Sequence, residues 1–238
     1  MSPRPPPRLF VVFAARAHAA VVIRRGPSSW VHLTLWDTDA DRFTPGAWFR
    51  GRIYPEKCDL SPDARLFVYA AHQGRRLRSS VTDAWTAVSR PPWLHALALW
   101  PMGTTYGGGG RFVDDGSLTL RGAGAAHPEH PPRGLAIVPG HAELHRSTDE
   151  VAGSEWSGRD HRNRLVFARE GRLLVRSGVD DRVLAEFGHL RPSPEPAPDW
   201  ATEPLSRTSV ALAPSRVEWS IPGSPRPALG GRRPARRG

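Results

Sequence analysis

Histidines are the side chains of this 238-residue sequence most able to do chemistry, and several of its ten are paired. His127 and His130 bracket Pro128-Glu129, and His141-Ala142-Glu143-Leu144-His145 sets two imidazoles at i and i+4. On a helix that spacing puts both rings on one face, as zinc ligation requires, with His127, His130 or Glu150 as a third donor. A zinc peptidase needs the order His-Glu-x-x-His, however, and Glu143 is in the wrong register to act as its base. A histidine-rich surface loop accounts for the same residues, so no metal site is expected. The four glycines 107–110 invite comparison with a phosphate cradle. Such a loop needs Lys-Ser/Thr next and then a helix, where this chain has Arg111-Phe112-Val113. Asp37, Asp39 and Asp41 open like a calcium loop, but Arg42 and Trp48 stand where Gly and Glu are needed. There is no Gly-x-Ser-x-Gly elbow. Cys58 is the only cysteine, which excludes an intramolecular disulfide and a cysteine-based zinc site. No cofactor is expected.

The remaining cluster is aromatic and basic. Residues 29–36 alternate, with Val31, Leu33 and Leu35 on one face and Trp30, His32, Thr34 and Trp36 on the other. After the polar turn 37–41, residues 43–53 return with Trp48, Arg50 and Arg52 on one face, opposite Phe49 and Ile53. This hairpin would gather Trp30, His32, Trp36, Trp48, Arg50 and Arg52 on a single surface. Tryptophan and arginine side by side suit an anionic or peptidic partner through stacking and paired hydrogen bonds. The competing reading packs the tryptophans beneath the next sheet, with the arginines reaching over them to water.

These residues must be held by strands. Ser61-Pro62-Asp63-Ala64 is a tight turn, with Pro pre-setting φ and Asp capping, and it leads into residues 66–70, apolar on both faces. Such a strand must be covered on two sides, so it belongs at the centre of a layered all-β structure. Residues 9–15, 19–24, 84–89, 112–113, 118–120, 135–138, 164–167, 172–176 and 183–187 are the other strand candidates, and 94–100 is an apolar run. Residues 141–150 are the best helix candidate. The 25 Pro and 23 Gly, about a fifth of the chain, favour many short elements.

An internal repeat organises the strands. Asp63-Ala64-Arg65-Leu66-Phe67-Val68 recurs as Asp115-Gly116-Ser117-Leu118-Thr119-Leu120 and as Glu170-Gly171-Arg172-Leu173-Leu174-Val175. Ser61-Pro62-Asp63-Ala64 followed by Leu66-Phe67-Val68-Tyr69 resembles the S-P-D-G unit of TolB-type and related WD40-like propeller repeats, and Trp36-Asp37 fits the W-D strand end. Ala64 stands where that pattern has Gly, and the other two copies lack Ser-Pro. The resemblance implies a small propeller-like array of antiparallel sheets, about four blades over residues 9–190. An irregular β-sandwich is the alternative. It also implies protein or peptide binding. The chain as a whole is similar to a bacterial protein family, a likeness that implies no activity.

Charge narrows the partners. Of a net +10, seven charges are Arg4, Arg8, Arg226, Arg232, Arg233, Arg236 and Arg237 near the two ends, leaving +3 on the body. Nucleic acid is therefore not the expected partner of the body. No apolar run is long enough for a membrane span. Residues 1–8 and the Pro/Arg-rich segment 191–238 are expected to be largely disordered, with 217–221 around Trp219 docking. A basic start, an apolar run and Ala17-His18-Ala19 give a minority reading of secretion or a periplasmic location; a cytoplasmic location is the leading one. The expected function is a non-enzymatic protein- or peptide-binding or scaffold module, the alternative a hydrolase or lyase with a polar site at one end of the sheets.

Overall fold

The structure, a computed structural model, describes residues 5–74, 82–148, 150–178 and 180–206. Strands β1 (Arg8–Phe13), β2 (Ala19–Arg25), β3 (Trp30–Asp37) and β4 (Arg42–Arg50) form an antiparallel meander. The second sheet contains β5 (Arg52–Ile53), β6 (Asp59–Leu60), β7 (Phe67–His72), β8 (Ala84–Ser89) and β9 (Ala98–Pro101). A 3-10 turn, Pro55–Lys57, separates β5 from β6, and both pair with β7. Strands β10 (Gly110–Phe112), β11 (Ser117–Leu120) and β12 (Ala136–Ile137) make the third sheet. Strands β13 (Trp156–Arg159), β14 (Leu165–Arg169), β15 (Arg172–Ser177) and β16 (Asp180–Glu186) make the fourth. The described protein is thus nearly all-β, and α1 (Asp199–Thr202) is a single turn. No helix among the described residues is long and apolar enough to cross a membrane.

The sheets stack because their central strands are apolar on both faces. From β2, Val21 and Ile23 pack with Ile53, Phe67 and Tyr69 of the second sheet. Ala20 and Val22, pointing the opposite way, pack with Trp156, Val166 and Leu173 of the fourth. The strand through 66–70 is covered on both sides as expected: Phe67 and Tyr69 face the first sheet, while Leu66 and Val68 meet Leu118 and Leu135 of the third. The packing order is fourth, first, second, third. Neighbouring sheets touch through β13 on β1, β1 on β6 and β6 on β10.

Several expectations need correction. The segment 43–53 is not one strand. It breaks at Gly51, where a Cβ would lie 2.5 Å from the Phe49 ring and 2.7 Å from the His72 carbonyl oxygen. Arg52 and Ile53 consequently pair with β7, in the second sheet. Strand β12 runs parallel to β11, so the third sheet is not a meander and residues 121–135 form a crossover. The described residues of 141–150 are not helical. His145 N–H donates to Glu56 O and Thr148 N–H to Ser157 O, while Leu144 is exposed and Ala142 alone among 141–148 is buried. Without an apolar stripe there is no helical face to bury.

The repeat is real in two of its three copies. The turn at Ser61–Ala64 joins the short strand β6 to β7, and that at Asp114–Gly116 joins the short strand β10 to β11. The turn at Glu170-Gly171 joins β14 to β15, second to third, so that copy is misplaced. The equivalent turn in the fourth sheet is Asp160–Asn163. Asn163 N–H donates to Asp160 O at 2.8 Å as Ala64 N–H does to Ser61 O at 2.8 Å, and φ is +58° and +62° at Asn163 and Ala64. An acid, a small residue and an apolar strand describe any tight hairpin, so this pattern does not say which hairpin it is.

Residues 191–206 run over the body, with Ala201 and Leu205 buried and the Arg90 guanidinium donating to Glu203 O. Pro7, near the start, is buried and lies against Gly171. Residues 217–221 with Trp219 lie outside the described residues.

Candidate binding site

The six residues of the expected Trp/Arg surface do not stay together. Trp36 is fully buried between the first and fourth sheets, stacked on Phe43 at 5.5 Å, with Nε1–H donating to Asp41 Oδ1. His32 is 2% exposed and sits across the pair from Trp48, ring centroids 4.5 Å apart. Burial, then the neighbouring Arg24 charge, push its pKa down to about 4, so the imidazole is neutral near pH 7. The Arg24 guanidinium lies over Trp48 at 5.4 Å, and it donates to Phe187 O and Leu190 O. Residues 187–190 thereby cover this face. Trp30, partly exposed, meets Trp48 edge-on at 6.5 Å. Trp36 and His32 are core, then, and only Arg50 and Arg52 are exposed.

Those two arginines open onto a cleft of about 1180 Å³ at one end of the first and second sheets. Arg8 and Phe10 come from β1, Arg25 to Ser29 from the end of β2 and the turn after it, Arg50 to Arg52 from the sheet change, and His72 to Gly74 from the end of β7. Arg8 lies opposite Arg25 across β1 and β2, and Arg52 opposite His72 across β5 and β7. The Arg25 guanidinium is 5.8 Å from the Phe10 ring centroid. Burial pulls its pKa down; Glu56 offsets part of this, and Arg52 and Arg8 add to it. The lining contains four arginines and no carboxylate, and none of the four is ion-paired among the described residues.

At the opposite end, arginines are saturated. Arg164 binds Asp41 through both terminal nitrogens at 2.8 and 2.9 Å, and its Nε binds the buried Asp160 carboxylate at 2.6 Å. The Asp41 bond, largest of the causes, raises the Arg164 pKa. Asp39 takes bonds from His18, His161 and Arg162, and the His18 bond leads in holding its pKa down to about 2. Asp37 accepts from the Asp39 and Ala40 amides and from Arg42. This is a filled hairpin turn, bracing the first sheet on the fourth. The glycine loop is also committed internally: Gly109 N–H donates to Thr86 Oγ1 and Gly108 N–H to Arg121 O. Lys57, the chain's only lysine, donates to Thr105 O and Gly107 O at 2.5 and 2.8 Å.

Arg8 and Arg25 were not legible as site residues. The only signal is the basic pair Arg24-Arg25 before the Gly26-Pro27-Ser28-Ser29 turn, whose two side chains point to opposite faces. Compared with known proteins, the chain matches no family model, no curated protein and no solved structure.

Proposed function

We propose that this protein is a non-enzymatic binding module, a small propeller-like array whose cleft between the first two sheets receives an acidic segment of another protein. The observation that carries this reading is the set of four arginines, Arg8, Arg25, Arg50 and Arg52, gathered without a carboxylate among them. Like charges held close and partly desolvated destabilise the free protein, and an anionic ligand relieves that repulsion. Guanidinium groups match carboxylates with paired hydrogen bonds. The lining offers one imidazole, His72, and no carboxylate to act with it, which supports binding over hydrolysis or lyase chemistry. Single-stranded nucleic acid is favoured by free aromatic platforms, and here the lining's one aromatic ring besides His72, Phe10, is shared with Arg25.

The test is fluorescence anisotropy with a short glutamate-rich peptide, a neutral peptide and a single-stranded oligonucleotide. The acidic peptide should bind with salt-sensitive affinity, and the Arg25→Ala/Arg52→Ala double variant should bind at least about tenfold more weakly. Equal affinity in the double variant, or a stronger response to the oligonucleotide, would overturn the reading.

A further inference from the structure

We propose that the acidic segment received by the cleft carries a phosphorylated serine or threonine, whose phosphate is held by Arg8, Arg25 and Arg52. This inference rests on the binding reading given above and adds the group that the cleft selects.

The three arginines come from three strands and two sheets. Arg8 and Arg25 are direct partners across β1 and β2, on the face that packs through Val12, Val21 and Ile23 on the second sheet, so their Cβ atoms start about 5 Å apart. Arg52 enters the cleft from β5, in the second sheet. Burial is the main cause that lowers the Arg25 pKa, and both Arg52 and Arg8 are close enough to lower it further. Arg50 differs. Across from Trp30, it leaves the first sheet on the opposite face from Arg25, whose partner on β3 is Val31. The cleft therefore has a focus of three guanidinium groups, with Arg50 outside it.

The donors at this focus are uncommitted. None of the three guanidinium groups donates a hydrogen bond or forms an ion pair among the described residues, whereas Arg24, Arg111, Arg121 and Arg164 are all committed to carbonyls or carboxylates. Glu56 offsets part of the effect of burial on Arg25 without pairing with it. The Phe10 ring, 5.8 Å from the Arg25 guanidinium, backs one side of that fork and leaves its N–H edge for a ligand.

A carboxylate has two oxygens in one plane, which a single guanidinium fork matches. A phosphomonoester carries a charge of about −1.5 to −2 and three acceptor oxygens pointing in different directions, so it can take a fork from each of three strands. It also relieves more of the repulsion among three like charges than one carboxylate does. The ester sits on a short side chain: Phe10, the lining's one aromatic ring besides His72, is covered by Arg25, so no ring remains to stack on a phosphotyrosine. A cleft of about 1180 Å³ exceeds what a phosphate alone fills, and the exposed Pro5, Pro6 and Pro27 of its lining offer packing area to the chain around it. Arg50 is then left for a carboxylate of the same segment.

The experiment is fluorescence anisotropy with the full chain at about 0.15 M salt, comparing one glutamate-rich peptide in two forms, with phosphoserine or with glutamate at its centre. The phosphoserine form should bind at least about tenfold more tightly. Arg25→Lys, which keeps the charge and loses the fork, and Arg52→Ala should each reduce that preference to about threefold or less. Arg50→Ala should weaken both forms alike and leave the preference as in wild type. Arg52 is exposed, so its variant keeps the test decisive if the melting temperature shows that Arg25→Lys folds poorly. Vesicles displaying a phosphomonoester headgroup should not displace the phosphoserine peptide at equal phosphate concentration. Equal binding of the two forms would overturn the phosphate and leave the acidic-segment reading standing, and binding of neither would overturn both. A preference kept in Arg52→Ala, a preference lost in Arg50→Ala, or displacement by the vesicles would also overturn the proposal.

Discussion

Mild acid should destabilise this protein through His32, a residue deep in the first sheet. Its pKa falls from an ordinary 6.5 to about 4, chiefly because the ring is buried, secondarily because Arg24 is near, with a bond to the Gly46 backbone opposing. In the unfolded chain the imidazole takes up a proton below about pH 6.5; in the folded chain it stays neutral until about pH 4. Between those values the unfolded state binds more protons, so stability rises with pH across the window. The contribution is complete above pH 6.5 and lost by about pH 4. At about 1.4 kcal/mol per unit, a difference near 2.5 units corresponds to about 3 kcal/mol, a large share of a typical domain's ~5–15 kcal/mol. Urea unfolding followed by tryptophan fluorescence, at about pH 7 and about pH 4, measures this directly. The comparison is with His32→Gln, which keeps a polar partner for the Thr34 hydroxyl and never acquires charge. His95 and His145, also lowered by burial, titrate in both proteins and cancel in the difference. Wild type should lose about 3 kcal/mol more than the variant over this range. Equal losses would mean that His32 protonates freely in the folded state, and the account of a sealed aromatic layer would fail.

Two further outcomes follow from charges committed to structure. Lys57→Met should cost about 2–4 kcal/mol and make the loop around Tyr106 more sensitive to protease, because the Thr105 and Gly107 carbonyls lose a buried ammonium. Lys57→Arg should not restore stability, since a planar fork does not reproduce a compact ammonium; full recovery would refute the cage. Arg164→Ala should cost about 3–5 kcal/mol by leaving the buried Asp160 carboxylate without its partner. Adding Asp160→Asn should recover part of that loss, and strictly additive costs in the double-mutant cycle would show that the two do not act together.

Periodicity alone made much of this architecture legible. Residues 66–70, apolar on both faces, had to lie between two layers, and Phe67 and Val68 do face different sheets. The hairpins at Asp37–Asp41 and Asp114–Gly116 were readable because turn chemistry is local. What alternation cannot say is what covers a face. Trp36 and Arg50 follow the same period on β3 and β4, yet Trp36 lies under the fourth sheet and Arg50 opens to the cleft. The difference is made by Phe187 and Leu190, more than 150 residues along the chain from Arg24, whose guanidinium they hold over Trp48. The cleft has the same origin: Gly51 sends the chain from one sheet to the next, and that break brings Arg52 to Arg8 and Arg25. Strand faces follow from neighbours along the chain, whereas burial and charge clustering come from contacts between distant segments, and only the packed sheets decide those.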